Sequence, residues 1–291
     1  MQSSMAMPDP TCSTSVRALL HPSNPRILIA AHRGSWHSAP ENSLSALRAA
    51  IEEGADIVEL DVRATSDGVF VLLHDPSLDR TSTVGGHVAN TPFVNARRAL
   101  LKMRDGGSQP LAHGDWLPTL SRALEVARDR IVVNLDIKVA AQTDQISRLI
   151  LGAGMAHQVF LKAKIESEAD IQKVQSHPLF GRVAFVPMMH ARSGQFSSDL
   201  RMMARLHSPM YEVVNFSSLE DLLEGRAELQ RQKARLWVNT IACSHSLGYN
   251  DGNALQDPDS VWGALVDSGV GAIQTDEVAS LDAYLQRRPK R

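Results

Sequence analysis

Eight short apolar, β-branched runs, each with a helical stretch behind it, limit most strongly what this chain can fold into. The runs lie at residues 27–31, 56–63, 131–137, 158–163, 182–188, 211–216, 235–241 and 271–275. The helical stretches lie at 43–53, 119–129, 142–153, 166–176, 195–207, 218–233, 259–268 and 278–287. Near-continuous apolar runs of this length belong to strands covered on both faces. Strand–helix alternation then demands a parallel sheet with its helices outside. Eight such units close as a (β/α)8 TIM barrel, and 291 residues are ample for that core. An open doubly wound sheet is the runner-up, but no Gly-x-Gly-x-x-Gly turn follows a strand to support it. The expected organisation is an N-terminal arm at 1–25, one barrel domain at 26–291, and an irregular insertion at 75–118 that leaves the barrel mouth as a small cap.

Buried strands rarely carry charge without a partner, so the charged positions within these runs stand out. In Val58-Glu59-Leu60-Asp61-Val62 the two acids share one face and the three aliphatics share the other. Adjacent carboxylates repel and are tolerated together around a hard cation. Asp67-Gly68 then signals a hairpin, and a two-residue turn there sets His74 opposite Asp61. His32 and Arg33 end the first strand. A right-handed βαβ unit makes that strand parallel to the second, so His32, Arg33, Glu59, Asp61 and His74 converge at one end. On the third strand the same period of two puts Asn134, Asp136 and Lys138 on one face. A single strand-end histidine is usually structural, and a lone Glu-x-Asp is usually a solvated edge. Their joint occurrence inside apolar strands argues for a site.

The ordered series His32-Arg33-Gly34, Pro40-Glu41-Asn42-Ser43, Glu59-x-Asp61, Asp67-Gly68, His74-Asp75 and Leu78-Asp79-Arg80-Thr81 resembles the glycerophosphodiester phosphodiesterases. Leu117-Pro118-Thr119-Leu120, Leu135-Asp136-Ile137-Lys138 and Ile273-Gln274-Thr275-Asp276 extend the resemblance from about Ile27 to about Leu285. It implies hydrolysis of a phosphodiester to a phosphomonoester, sn-glycerol 3-phosphate in the family, and an alcohol. In that family an insertion at the position of 75–118 helps shape the substrate pocket. Asp136 stands where the family usually has a glutamate, and its side chain is one methylene shorter. Trp237 resembles a family aromatic near the site, with core packing as the equal alternative.

From the residue chemistry we expect Glu59, Asp61 and Asp136 to hold one divalent cation, Mg²⁺ or Ca²⁺, because carboxylate oxygens suit hard ions. Arg33 and Lys138 are the expected clamp on the phosphodiester anion, and Trp237 completes the expected substrate contacts. His32 and His74 are the expected general acid and base, in either order. Lys162 and Lys164 read first as solvated lysines and second as phosphate contacts. The loop after the seventh strand, with His245, Tyr249, Asn250, Asp251 and Asp257, is the expected seat of specificity.

The 30 basic and 32 acidic side chains nearly cancel, which speaks against a nucleic-acid or membrane surface. Cys12 and Cys243 show no metal-ligand spacing and form no disulfide framework. The first 25 residues lack the apolar stretch of a signal peptide, and no run reaches the length of a membrane span. These features predict a soluble cytoplasmic enzyme whose partner is a small-molecule phosphodiester, with no nucleic acid and no stable membrane insertion. Alternatives are a phospholipase-like or sugar-phosphodiester phosphodiesterase, possibly releasing a cyclic phosphate, and an inactive barrel that only binds phosphodiesters.

Overall fold

The computed structural model describes residues 15–139 and 142–288. The strands are β1 (Leu28–Ala31), β2 (Ile57–Ala64), β3 (Phe70–Leu72), β4 (Leu100–Lys102), β5 (Leu111–Trp116), β6 (Val132–Ile137), β7 (Val159–Lys164), β8 (Ala184–Ala191), β9 (Met210–Phe216), β10 (Arg235–Asn239) and β11 (Val270–Thr275). All except β3, β4 and β5 run parallel in the order β1, β2, β6, β7, β8, β9, β10, β11, and β1 pairs with both β2 and β11. The sheet therefore closes as an eight-stranded parallel barrel with helices between its strands, as the alternation of runs predicts.

Because side chains alternate along a strand, each strand sends one set inward and one set outward. Val58, Leu60 and Val62 of β2 face outward into the large core shared with the helices, beside Leu47, Leu120 and Leu124. Ile57 faces inward, in one layer with Leu28, Ala30, Val132, Phe160, Val186, Met210, Trp237 and Ala272. That layer fills the N-terminal half of the barrel with apolar side chains. The same inward period carries Glu59 and Asp61 into the C-terminal half, where they pair in register with Asn134 and Asp136 of β6.

The helices begin where capping residues stand. Ser43 accepts the Ala46 N–H at the start of Leu44–Glu52, and Thr119 accepts the Arg122 N–H at the start of Leu120–Ala127. The predicted 218–233 helix is two helices, Leu219–Glu224 and Arg226–Gln232, and the predicted 259–268 helix opens with a π turn at Asp259–Gly263. Among the described residues no helix is long and apolar enough to cross a membrane.

The N-terminal arm needs correction. Residues 1–14, including Cys12, lie outside the described residues, but within 15–25 a short helix is packed on the barrel. The helix Val16–Leu20 buries Val16 and Leu20 against the inward apolar layer and plugs the N-terminal end of the barrel. Arg235, at the start of β10, ties this plug down. Its guanidinium donates to the carbonyls of Leu20 at 3.1 Å, His21 at 2.9 Å, Arg26 at 2.8 Å and Asn24. A planar fork of five N–H donors suits such a set of carbonyls, which a lysine could not span.

The hairpin register also differs from expectation. The turn is Ser66-Asp67-Gly68, three residues rather than two, with Gly68 at φ +82°. The Thr65 hydroxyl donates to Asp67 Oδ1 at 2.6 Å and accepts from the Val69 N–H at 3.0 Å, which closes the longer loop. Val62 consequently pairs with Leu72, and Leu73, not His74, lies opposite Asp61.

The insertion is ordered. It contains the β4–β5 hairpin and the short helix Phe93–Ala96, and Leu78, Val88, Ala96, Ala99, Leu101 and Leu117 form its own small core with Val71 and Leu73 of the barrel hairpin. Across the mouth, the loop after β10 is pinned by Asp251. Its carboxylate accepts from the Thr240 hydroxyl at 2.6 Å and from the Asp276 N–H at 2.8 Å. Burial pushes the Asp251 carboxyl up to about 6.

Two outcomes follow for stability. Arg235→Met leaves the buried Leu20 carbonyl and three part-buried ones without this donor and is expected to lower unfolding stability by about 3 kcal/mol in urea titration; a loss under about 1 kcal/mol would mean the plug holds without its tether. For Asp251, the folded state prefers the proton more than the unfolded chain does. Stability from this group is full below the unfolded carboxyl range and declines as pH rises to about 6. Measured between about pH 4 and pH 7.5, the wild type should lose about 2 kcal/mol relative to Asp251→Asn, and parallel stability profiles would contradict this.

Candidate active site

The first barrel strand ends in a strained turn. Arg33 has φ +56° and Gly34 φ +82°, and a Cβ on Gly34 would stand 2.7 Å from the backbone of Ala46. The Arg33 N–H donates to Glu59 Oε2 at 3.1 Å, and its carbonyl accepts the Asn42 N–H at 2.9 Å. Its guanidinium donates to Glu41 at 3.0 Å and lies 3.3 Å from Asp61 Oδ2. The turn thus aims one cation into the barrel mouth.

Oxygens of Glu59, Asp61 and Asp136 lie within 4.8 Å of one another. Burial and the neighbouring Asp61 push the Glu59 carboxyl well above its usual range. Burial would raise Asp61 too, but Lys138 and Arg33 outweigh it and hold this carboxyl low. Lys138 Nζ sits between Asp136 at 2.6 Å and Asp61 at 3.1 Å. Asn42, itself at φ +55°, clamps Asp61 twice: its Nδ2 donates to Oδ2 at 2.8 Å, and its Oδ1 accepts the Asp61 N–H at 3.0 Å. Three carboxylate oxygen donors at this spacing fit a hard divalent cation.

Each histidine is backed by a carboxylate. His32 Nδ1 is 2.8 Å from Asp276 Oδ1, with side-chain exposures of 11% and 15%. His74 Nδ1 is 2.8 Å from Asp75 Oδ1, with exposures of 39% and 26%. Such contacts fix the ring orientation and leave each Nε2 for proton exchange. Hydrogen bonding from Arg80 holds Asp75 far below the ordinary carboxylate range. Arg80 also forks onto Glu41, donating to Oε1 at 2.7 Å and Oε2 at 3.1 Å. Glu41 therefore joins two arginines, one from the barrel and one from the insertion. Gly106 lets the insertion fold over Arg80, since a Cβ there would collide with the Arg80 carbonyl.

The structure brings His32, Arg33, Glu59, Asp61, His74, Asp136 and Lys138 to one mouth, His74 included despite the shifted register. Protonated His74 is close enough to help lower Asp61. Trp237 is not among them. It is fully buried in the inward apolar layer, edge-on to Phe160 at 6.0 Å, with its Nε1 donating to Asn239 at 2.7 Å. Its position is a correction to the expected substrate contact: a side chain with no exposed surface beneath the charged layer packs the core.

Lys162 is also not solvated. Its ammonium lies 4.4 Å above the Trp237 ring, 2.8 Å from buried Glu212 and 3.2 Å from Gln274, and its charge counters the rise of Glu59. Lys164 is exposed and paired with Glu166. Glu41, Asn42, Arg80 and Asp276 stand in the motif series, where spacing alone gives them no partner. Lys162 and Glu212 share inward positions on β7 and β9, a pattern the period of two could have revealed.

A family model described as the glycerophosphoryl diester phosphodiesterase family matches residues 32–176, and a second, described only as a domain of unknown function, matches 185–285. The mouse glycerophosphodiester phosphodiesterase 1 is 38% identical over 117 residues, which are 39% of this chain and 34% of that protein. The glycerophosphodiester phosphodiesterase of Caldanaerobacter subterraneus subsp. tengcongensis is 36% identical over 114 residues, 39% of this chain and 46% of that protein. The chain thus spans between a third and a half of the length of these curated relatives. Among solved structures, a glycerophosphoryl diester phosphodiesterase from Parabacteroides distasonis superposes with a TM-score of 0.76 at 21% identity, over 94% of this chain and 93% of that one. An Oleispira antarctica phosphodiesterase, solved with the product sn-glycerol-3-phosphate, gives 0.64 at 20% identity over 89% and 96%. At those identities the likeness concerns the barrel itself. With the motif series, the barrel and the sequence matches in agreement, this chain belongs to the glycerophosphoryl diester phosphodiesterase family.

Proposed function

We propose that the protein hydrolyses a glycerophosphodiester to sn-glycerol 3-phosphate and an alcohol. The observation that carries this reading is the pair of carboxylate-backed imidazoles, His32–Asp276 and His74–Asp75, at the mouth that also holds the Glu59, Asp61 and Asp136 oxygens. A site that only bound phosphodiesters would need the cations and not the two oriented rings. Relatives named for this activity, and a structural neighbour solved with its product, support the same substrate class.

Glu59, Asp61 and Asp136 are the residues that would hold a divalent cation, Mg²⁺ or Ca²⁺. Bound there, the ion would polarise the phosphoryl oxygens and acidify a nearby hydroxyl. Arg33 and Lys138 offset the carboxylates and hold the anionic diester, Arg33 by its fork and Lys138 as a point charge.

His74 acts as general base, taking a proton from the attacking hydroxyl as the new O–P bond forms. With water as nucleophile this gives the phosphomonoester directly; with the glycerol 2-hydroxyl it gives a cyclic phosphate that a water opens in a second step, breaking the P–O2 bond and returning that proton to O2. His32 acts as general acid, giving its proton to the alcohol oxygen as the other P–O bond breaks. The acid role falls to His32 because Asp276 has no lysine or arginine partner among the described residues, its carboxylate meeting only the His32 ring and the neutral Trp36 N–H there. The charge of Asp75 is shared with Arg80.

His32→Ala and His74→Ala should each lower kcat by about 10² to 10⁴ in an assay of alcohol release from glycerophosphodiesters. A chelator should abolish turnover in the wild type and added Mg²⁺ or Ca²⁺ should restore it. Undiminished turnover in either variant, or in metal-stripped protein, would sink the mechanism.

A further inference from the structure

Alternation along each strand puts Glu59, Asn134, Lys162, Glu212, Asn239 and Gln274 in one inward layer, just above the apolar layer of Phe160 and Trp237. Most of this layer is paired. Lys162 meets Glu212 at 2.8 Å and Gln274 at 3.2 Å, while Asn239 donates to Glu212 at 2.7 Å and accepts from Trp237 at 2.7 Å. Asn134 is the exception. It is fully buried, and its Oδ1 accepts from no donor among the described residues. Its Nδ2 donates to the Phe160 carbonyl at 3.4 Å, which fixes the amide, since the opposite orientation would set oxygen against oxygen.

Buried acceptors are almost always satisfied, so an open one points to a donor outside the protein's own side chains. Its place says which kind. Asn134 is the register partner of Glu59, and Asp136 stands two residues further on, on the same inward face. The groups above it are therefore carboxylates of the candidate ion site, and once these bind a cation they have no proton to give. Successive inward positions on a strand lie about 6.6 Å apart, which puts an ion held by Asp136 beyond direct reach of Asn134 Oδ1 and within the span of a single water. Water on a divalent cation has its lone pair committed to the metal, and its polarised hydrogens need acceptors.

Resting on the ion-binding reading above, we propose that Asn134 is a positioning residue for the divalent cation: its Oδ1 accepts a hydrogen bond from a water bound to the side of the ion that faces the barrel floor. The amide is neutral, so it satisfies that water without adding a fourth negative charge to Glu59, Asp61 and Asp136.

Crystals of the full chain grown with Ca²⁺ test this directly. The expected structure has a water about 2.4 Å from the ion and about 2.8 Å from Asn134 Oδ1. An ion among the three carboxylates with no such water overturns this proposal alone; no ion there overturns the ion site as well. In solution, Asn134→Leu keeps the volume and removes the acceptor, and it should weaken Ca²⁺ binding about tenfold in calorimetric titration. Undiminished affinity overturns the proposal. With Tb³⁺ in place of Ca²⁺, luminescence lifetimes in H₂O and D₂O count the waters on the ion, and that count should fall in the variant. A merely structural role, in which Asn134 keeps Glu59 in place, predicts the opposite sign, because water replaces a displaced carboxylate; an unchanged or higher count therefore overturns the proposal. If the variant does not fold, the wild-type crystal structure decides.

Discussion

Repulsion among three carboxylates in the upper half of a closed barrel is the constraint on which much of this structure depends. Unit charges a few ångströms apart in a poorly screened interior cost several kcal/mol, and the protein answers with cations at fixed points. Lys138 bridges Asp61 and Asp136, Arg33 approaches Asp61, and Asn42 satisfies the rest of the Asp61 carboxylate. Glu59 receives the Arg33 backbone N–H and feels Lys162 from below, and it is the carboxyl most displaced toward neutrality. Beneath the charged layer lies an apolar one that offers it no screening, sealed at the far end by the helix Val16–Leu20, so the compensation comes from the cations.

That constraint also explains the insertion. A segment of irregular sequence would be free to wander over the mouth, yet it has its own aliphatic core and a single charged bolt. Arg80 forks onto Glu41 and Asp75, and Glu41 is shared with Arg33. The bolt couples the cap to the first barrel turn, and it restrains Asp75 where that carboxylate meets His74. A buried charge chain of this kind contributes little net stability, because desolvation offsets the attraction, but it specifies one arrangement.

The two imidazoles, alike in the sequence, are unlike in place. His32 is enclosed, and the residue that holds it is itself held through the Asp276 N–H by Asp251, so the loop after β10 supports the His32–Asp276 pair from behind. His74 is more open and its carboxylate is anchored to the cap. The loop after β10 thus reaches the mouth through Asp251, while Trp36, in the first turn after β1, meets the same Asp276 from the other strand end.

The residue series by itself determined the eight alternating units, hence the closed barrel, because periodicity and β-branching report directly on burial. It also determined that Glu59, Asp61, Asp136, Lys138 and His32 belong at one end, because strand parity and right-handed parallel connection bring those strand positions together. Only the tertiary structure decided the hairpin register, which turned on the hydroxyl of Thr65 closing a three-residue loop. It alone decided that Trp237 lies in the apolar floor, since an inward position in mid-strand does not say which layer it fills. It alone paired Lys162 with Glu212, Arg80 with Glu41, and Arg235 with the carbonyls of the N-terminal plug. Those contacts join positions far apart in the chain, and nothing local in the sequence encodes which distant partner a charge will meet.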